Sequence, residues 1–199
     1  MVALRIRHRR LNADLDRRHG WATELTFLLE RHPRTSWATK GTAGVHFWLE
    51  VHDHFRRDCA SLEVAADDYR HERVAAAQLA VIATSRLGGL VANLHGHHQI
   101  EDFHYFPAFR QAEPRLTAGF DVLERDHAAL QQDVAKARAA VLELRTAAKS
   151  GTDSGGRETL VLAAEHYIDA TARLCRRVCR HLSDEEELVM PLLIERGDY

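Results

Sequence analysis

Proline is scarce in this chain. Its four copies stand at 33, 107, 114 and 191, and none falls within 34–106 or 115–190. Long uninterrupted helices are therefore permitted in both stretches. Cysteine is scarcer still. Cys59, Cys175 and Cys179 cannot build a disulfide framework, so the expectation is a soluble protein of a reducing cytoplasm. No run of about 18 residues is free of charge, which excludes an ordinary membrane span. No segment alternates apolar and polar residues in the period of a strand. The opening MVALRIRHRRLNADLDRRHG has no apolar stretch of the kind a secretory signal carries, and reads as a solvated basic arm. The net charge of -2 gives no bulk electrostatic reason to bind nucleic acid. No Gly-rich phosphate loop and no serine nucleophile elbow occur.

What remains is apolar, helix-forming and rich in histidine. The 199 residues are 45% hydrophobic, enough for one domain with its own core and a small extension. Ala and Leu dominate, and both favour helix. The pattern predicts a short helix over about 12–31 that Pro33 ends, and a loop over 34–44. Four long helices follow, at about 45–69, 73–105, 115–147 and 157–189, with Pro107 and Pro191 as stops. The run 150–156, SGTDSGG, reads as a flexible loop. The expected fold is all-α: a four-helix bundle over 45–195 behind an N-terminal arm and short helix over 1–44.

The 14 histidines are clustered, and part of the cluster is an internal repeat. The second long helix carries His97, Glu101 and Pro107; the fourth carries His181, Glu185 and Pro191. Both read His-x3-Glu-x5-Pro. Residues four apart share a helix face, so each helix can present an imidazole and a carboxylate to one point. The third helix adds His127, flanked on its stripe by Leu123, Leu130 and Val134. The first offers His52 and His54. His52 has Val45, Trp48, Leu49, Phe55 and Cys59 at helical offsets, whereas the neighbours of His54 are mostly polar; His52 is therefore chosen.

Four imidazoles and two carboxylates facing one core suit a pair of iron or manganese ions, with zinc less favoured. A core holding these groups without a metal buries polar groups and charge at a cost of several kcal/mol. The pair His98 and Asp102, turned about 100° from the first, is assigned to a helix–helix polar contact ahead of a metal role. His104, seven residues beyond His97, is placed on the same face, either orienting Glu101 or as a buried hydrogen-bonded residue. His71, His95 and His166 are assigned to solvent or to neighbouring helices. Cys175 and Cys179 are assigned to packing. Of the acidic run 184–187 only Glu185 is expected to point inward.

These segments resemble the hemerythrin-like, HHE cation-binding family. The resemblance is carried by HDHFRR at 52–57, HGHHQIEDFHYFP at 95–107, ERDHAAL at 124–130 and HLSDEEELVMP at 181–191. It implies an up-down bundle around two non-haem iron ions, oxo- or hydroxo-bridged, that bind dioxygen or nitric oxide or serve iron handling. Carried over residue by residue, the metal ligands are His52, His97, Glu101, His127, His181 and Glu185. The oxygen carriers of the family have a further histidine where this chain has Gln131. They also use a carboxylate at the position of Glu186, but the internal repeat favours Glu185. Four imidazoles, two bridging carboxylates and an oxygen bridge fill about ten of roughly twelve positions on two octahedral ions. Ferritin-like centres differ, since they use Glu-x-x-His and lone glutamates. The expected function is a binding protein for a small diatomic ligand or for iron. The alternatives are a di-iron redox or iron-centre repair enzyme, or a metal-free helical module.

Overall fold

The computed structural model describes residues 14–149 and 154–197. The basic arm lies mostly outside the described residues, as do residues 150–153 of the expected loop. All regular structure among the described residues is helical: α1 (Phe27–Arg31), α2 (Arg34–Lys40), α3 (Ala43–Arg70), α4 (Ala76–Ile100), a π turn (Glu101–Tyr105), α5 (Phe106–Ala112), α6 (Thr117–Ala147) and α7 (Ser154–Arg196). Short 3-10 turns occupy Thr23–Leu25 and Pro114–Leu116. Helices α3, α4, α6 and α7 pack in a ring, each against the next and α7 back against α3. No described helix is long and apolar enough to cross a membrane.

The sequence expectation for the four long helices holds, with three corrections. The N-terminal helix expected over 12–31 is broken up: Gly20 takes φ +110, and helix resumes only in short pieces. The expected loop contains α2, whose Trp37 is buried. And neither proline stops its helix. Pro107 stands in the first turn of α5, where proline costs least. Pro191 lies inside α7, where Leu188, Val189, Met190, Leu192 and Leu193 are all buried; their burial outweighs the one backbone hydrogen bond that proline forfeits.

The core is two apolar clusters with a polar layer between them. One contains Phe55, Leu62, Leu90, Leu130, Tyr167 and Val178. The other contains Trp48, Phe106, Phe109, Phe120 and Leu188, together with Leu25, Leu28 and Trp37 from the N-terminal segment, which covers that end of the bundle. The layer between them is buried and polar: His52, His98, Glu101, Asp126, His127, His181, Asp184, Glu185 and Glu186.

Candidate metal centre

Each long helix contributes to this layer from its apolar stripe. On α3, His52 is fully buried, while the His54 side chain is 54% exposed and faces Asp58. On α6, His127 lies between Leu123 and Leu130, all three buried. On α7, His181 and Glu185 are both fully buried. On α4 and its π turn, His97, His98 and Glu101 all join. With His97 set at zero, His98 lies about 100° round the helix and Glu101 about 40°, so the carboxylate sits between the two imidazoles.

The donors fall into two groups: His52, His97, Glu101 and Glu185; and His98, Glu101, His127 and His181. Within each, donor atoms lie within 4.8 Å of one another. Glu101 belongs to both. Its Oε1 is 2.8 Å from His97 Nε2, and its Oε2 is 3.5 Å from His127 Nε2. Glu185 also spans the groups, with Oε1 at 3.6 Å from His52 Nε2 and Oε2 at 3.5 Å from His181 Nε2. The Nε2 atoms of His127 and His181 are 3.1 Å apart.

The outer nitrogens of three imidazoles meet carboxylates. His52 Nδ1 is 3.0 Å from Glu186, His127 Nδ1 is 2.8 Å from Asp102, and His181 Nδ1 is 3.4 Å from Asp126. With Nδ1–H donating outward, each Nε2 presents a lone pair inward. Trp48 Nε1–H donates to Glu185 Oε1 at 2.8 Å.

Several inner atoms are buried without a hydrogen-bond partner: Nε2 of His52, His97 and His98, both oxygens of Glu101, and Oε2 of Glu185. Burial pushes Glu101 well above the ordinary carboxylate range. It pushes Glu185 up to about 8, with the charge of Glu101 adding to the effect. Burial also lowers His97 to about 4 and holds His98 and His181 well below the usual imidazole value, so these rings are neutral. Neutral imidazoles and converging carboxylates with orphaned lone pairs are what a divalent cation needs. The donor set fits metal.

A model of the hemerythrin HHE cation-binding domain matches residues 43–170 of this chain. The chain belongs to the hemerythrin HHE cation-binding family. It is a metal-binding helical bundle, and its His/Glu clusters fit that membership. The matched stretch contains His52, His97, His98, Glu101 and His127; His181 and Glu185 lie beyond it, on the continuation of α7. No curated protein and no solved structure matches the chain.

In this hemerythrin-family bundle every residue of the expected ligand set sits at the centre. His98 stands beside it and, with Asp102, makes the expected helix–helix polar contact, here to α6. Its ring stacks on His127 with centroids 3.9 Å apart. A signal was present: Val91 and Leu94 stand seven and four residues before His98, the same stripe that selects His52. Asp102 is half-buried and receives His127 instead of pairing with its own helix. His104 is exposed, because the π turn adds a residue to the turn and carries position 104 off the inner face. The acidic run is not solvated as expected. Asp184 and Glu186 are buried beside Glu185, held by Arg18 and Arg180 and by Arg34 and Arg56 respectively.

Proposed function

We propose that this chain holds two non-haem iron ions, oxo- or hydroxo-bridged, and uses them to bind a small diatomic ligand, dioxygen or nitric oxide. The proposed ligands are His52, His97, Glu101, His127, His181 and Glu185, with His98 as a seventh. The observation that carries the reading is the unequal division of donors around two shared carboxylates. One side has His98, His127 and His181; the other has only His52 and His97. At about six positions per ion, three imidazoles and the two shared carboxylates would nearly fill the first side, and the second would keep more room for an added ligand. Manganese prefers oxygen donors and zinc ordinarily takes only four ligands, so both fit this set less well.

The route to that side supports the same reading. A groove of about 790 Å³ between α3 and α4 is walled by Phe47, Trp48, Val51, Phe55 and Tyr105 and reaches His97 and Glu101. The His97 side chain is 13% exposed, the most accessible of the donors, and it belongs to the less filled group. Glu50, His54, Arg57 and Asn93 also line the groove, but its surface is mainly apolar, which suits a small uncharged molecule. Trp48 fixes Glu185, and Glu186 fixes the ring of His52. An iron pair supplies reversible ligand binding and one-electron redox changes at each ion.

The test is anaerobic iron reconstitution followed by exposure to nitric oxide and then to oxygen. The reading expects a spectral change that reverses on gas removal and is lost in His97→Ala. Catalytic turnover of peroxide or nitric oxide without a reversible adduct moves the protein to the redox-enzyme class. An iron-loaded protein blind to both gases overturns the proposal.

A further inference from the structure

The family match begins at residue 43, yet the segment before it reaches the centre with two arginines. The Arg18 side chain is 1% exposed. Its two terminal nitrogens donate to the two oxygens of Asp126, and its Nε donates to Asp184 at 2.6 Å. Asp126 Oδ2 is the atom that accepts from His181 Nδ1. Trp21 donates to the Asp184 carbonyl at 2.8 Å and lies against the Arg18 guanidinium, which fixes the arginine in place. Arg34 repeats the arrangement on the other donor group. Its Nη1 donates to Glu186 Oε2 at 3.0 Å, and Glu186 Oε1 accepts from His52 Nδ1.

Each donor group thus contains an imidazole backed by a carboxylate that an arginine from the N-terminal segment holds; Arg56 of α3 also donates to Glu186 Oε1, at 2.7 Å. Anchoring the segment does not require this. Leu15, Leu25, Leu28 and Trp37 already bury themselves in the two apolar clusters. A buried arginine is costly unless it is fully paired, so its placement calls for a different reason. The fork of Arg18 takes both oxygens of Asp126 and stops the carboxylate rotating. A carboxylate that cannot rotate holds His181 in one tautomer and one orientation.

We infer that Arg18 and Arg34 are positioning residues of the metal centre, setting its affinity through Asp126 and His181 and through Glu186 and His52. The inference rests on the metal-site reading above. Iron titration of the full chain tests it, in wild type, Arg18→Gln, Arg34→Gln, Asp126→Asn and the double variant Arg18→Gln/Asp126→Asn. Arg18→Gln should weaken iron binding about 10–100-fold. It should add little in the Asp126→Asn background, because the relay is already cut there. Arg34 is 42% exposed, so Arg34→Gln should disturb folding less than Arg18→Gln and should lower affinity by a smaller factor. Thermal melts of the metal-free proteins run alongside. If both arginine variants melt lower but bind iron as wild type does, the segment is only an anchor and the inference falls. If Arg18→Gln costs as much affinity with Asp126→Asn as without it, the relay falls. Wild type that takes up no iron sinks the metal-site reading itself, a separate outcome.

Discussion

Adjacent histidines on a helix diverge by about 100°, and α4 uses that divergence to serve two donor groups from one position. The rings of His97 and His98 are 5.9 Å apart, and Glu101 stands between them. Replacing His98 by alanine should therefore cut iron content after reconstitution, as replacing His52 or His181 should. His54→Ala should leave it near the wild-type value, because His54 lies on the outer face. Metal analysis of purified variants checks both, and equal loss from His54→Ala and His52→Ala contradicts the assignment. That His52 and not His54 faces the core was legible because the apolar stripe of α3 is unbroken around it. Glu185 was legible because the repeat sets it four residues after His181. The burial of Glu186 was not. It depends on Arg34 and Arg56, which meet it from other helices, and ion pairs between distant segments leave no local pattern.

At the scale of elements, the π turn decides which residues follow the ligands into the core. Its closing bond runs from Phe106 N–H to Glu101 O, five residues apart instead of four. The added residue turns α5 so that Phe106 and Phe109 are fully buried, while Phe103 is 72% exposed. Inserting an alanine after Phe103 should exceed what one π turn absorbs, rotate α5 by about 100° and lift those rings from their packing, at a cost of several kcal/mol. Phe103→Ala, which keeps the register, should melt close to wild type. Identical melting of the two variants contradicts the role given to the π turn. Periodicity could not reveal it, since a single extra residue changes the phase without changing composition. The same limit explains Pro107 and Pro191. Proline weakens a helix locally, and the apolar burial that carries each helix onward lies on neighbouring elements. It also explains α2, which is too short to show a period and is held by Trp37.

For the molecule as a whole, the polar layer is a liability that metal relieves. Orphaned donors and crowded carboxylates destabilise the metal-free bundle, so iron should raise the melting temperature and a chelator should lower it. Unchanged melting on loading contradicts this. Acid acts elsewhere. Arg115, aided by Arg196 and against the effect of burial, holds Glu113 at about 2, below the usual 4.5. A carboxylate depressed in the folded state stabilises the fold above its unfolded value and loses that contribution as pH falls from about 4.5 to about 2. Glu113→Gln should accordingly melt below wild type at neutral pH and converge with it near pH 2. A gap that persists at acid pH rules that mechanism out. Glu113 lies between α5 and Pro114, and Arg196 ends α7, so the pair ties the two helix ends together.

The most direct measurement is metal content together with the optical spectrum of the iron-reconstituted protein in air. The account predicts about two ions per chain and a near-ultraviolet band of bridged ferric iron. One ion per chain or none, with no such band, contradicts it.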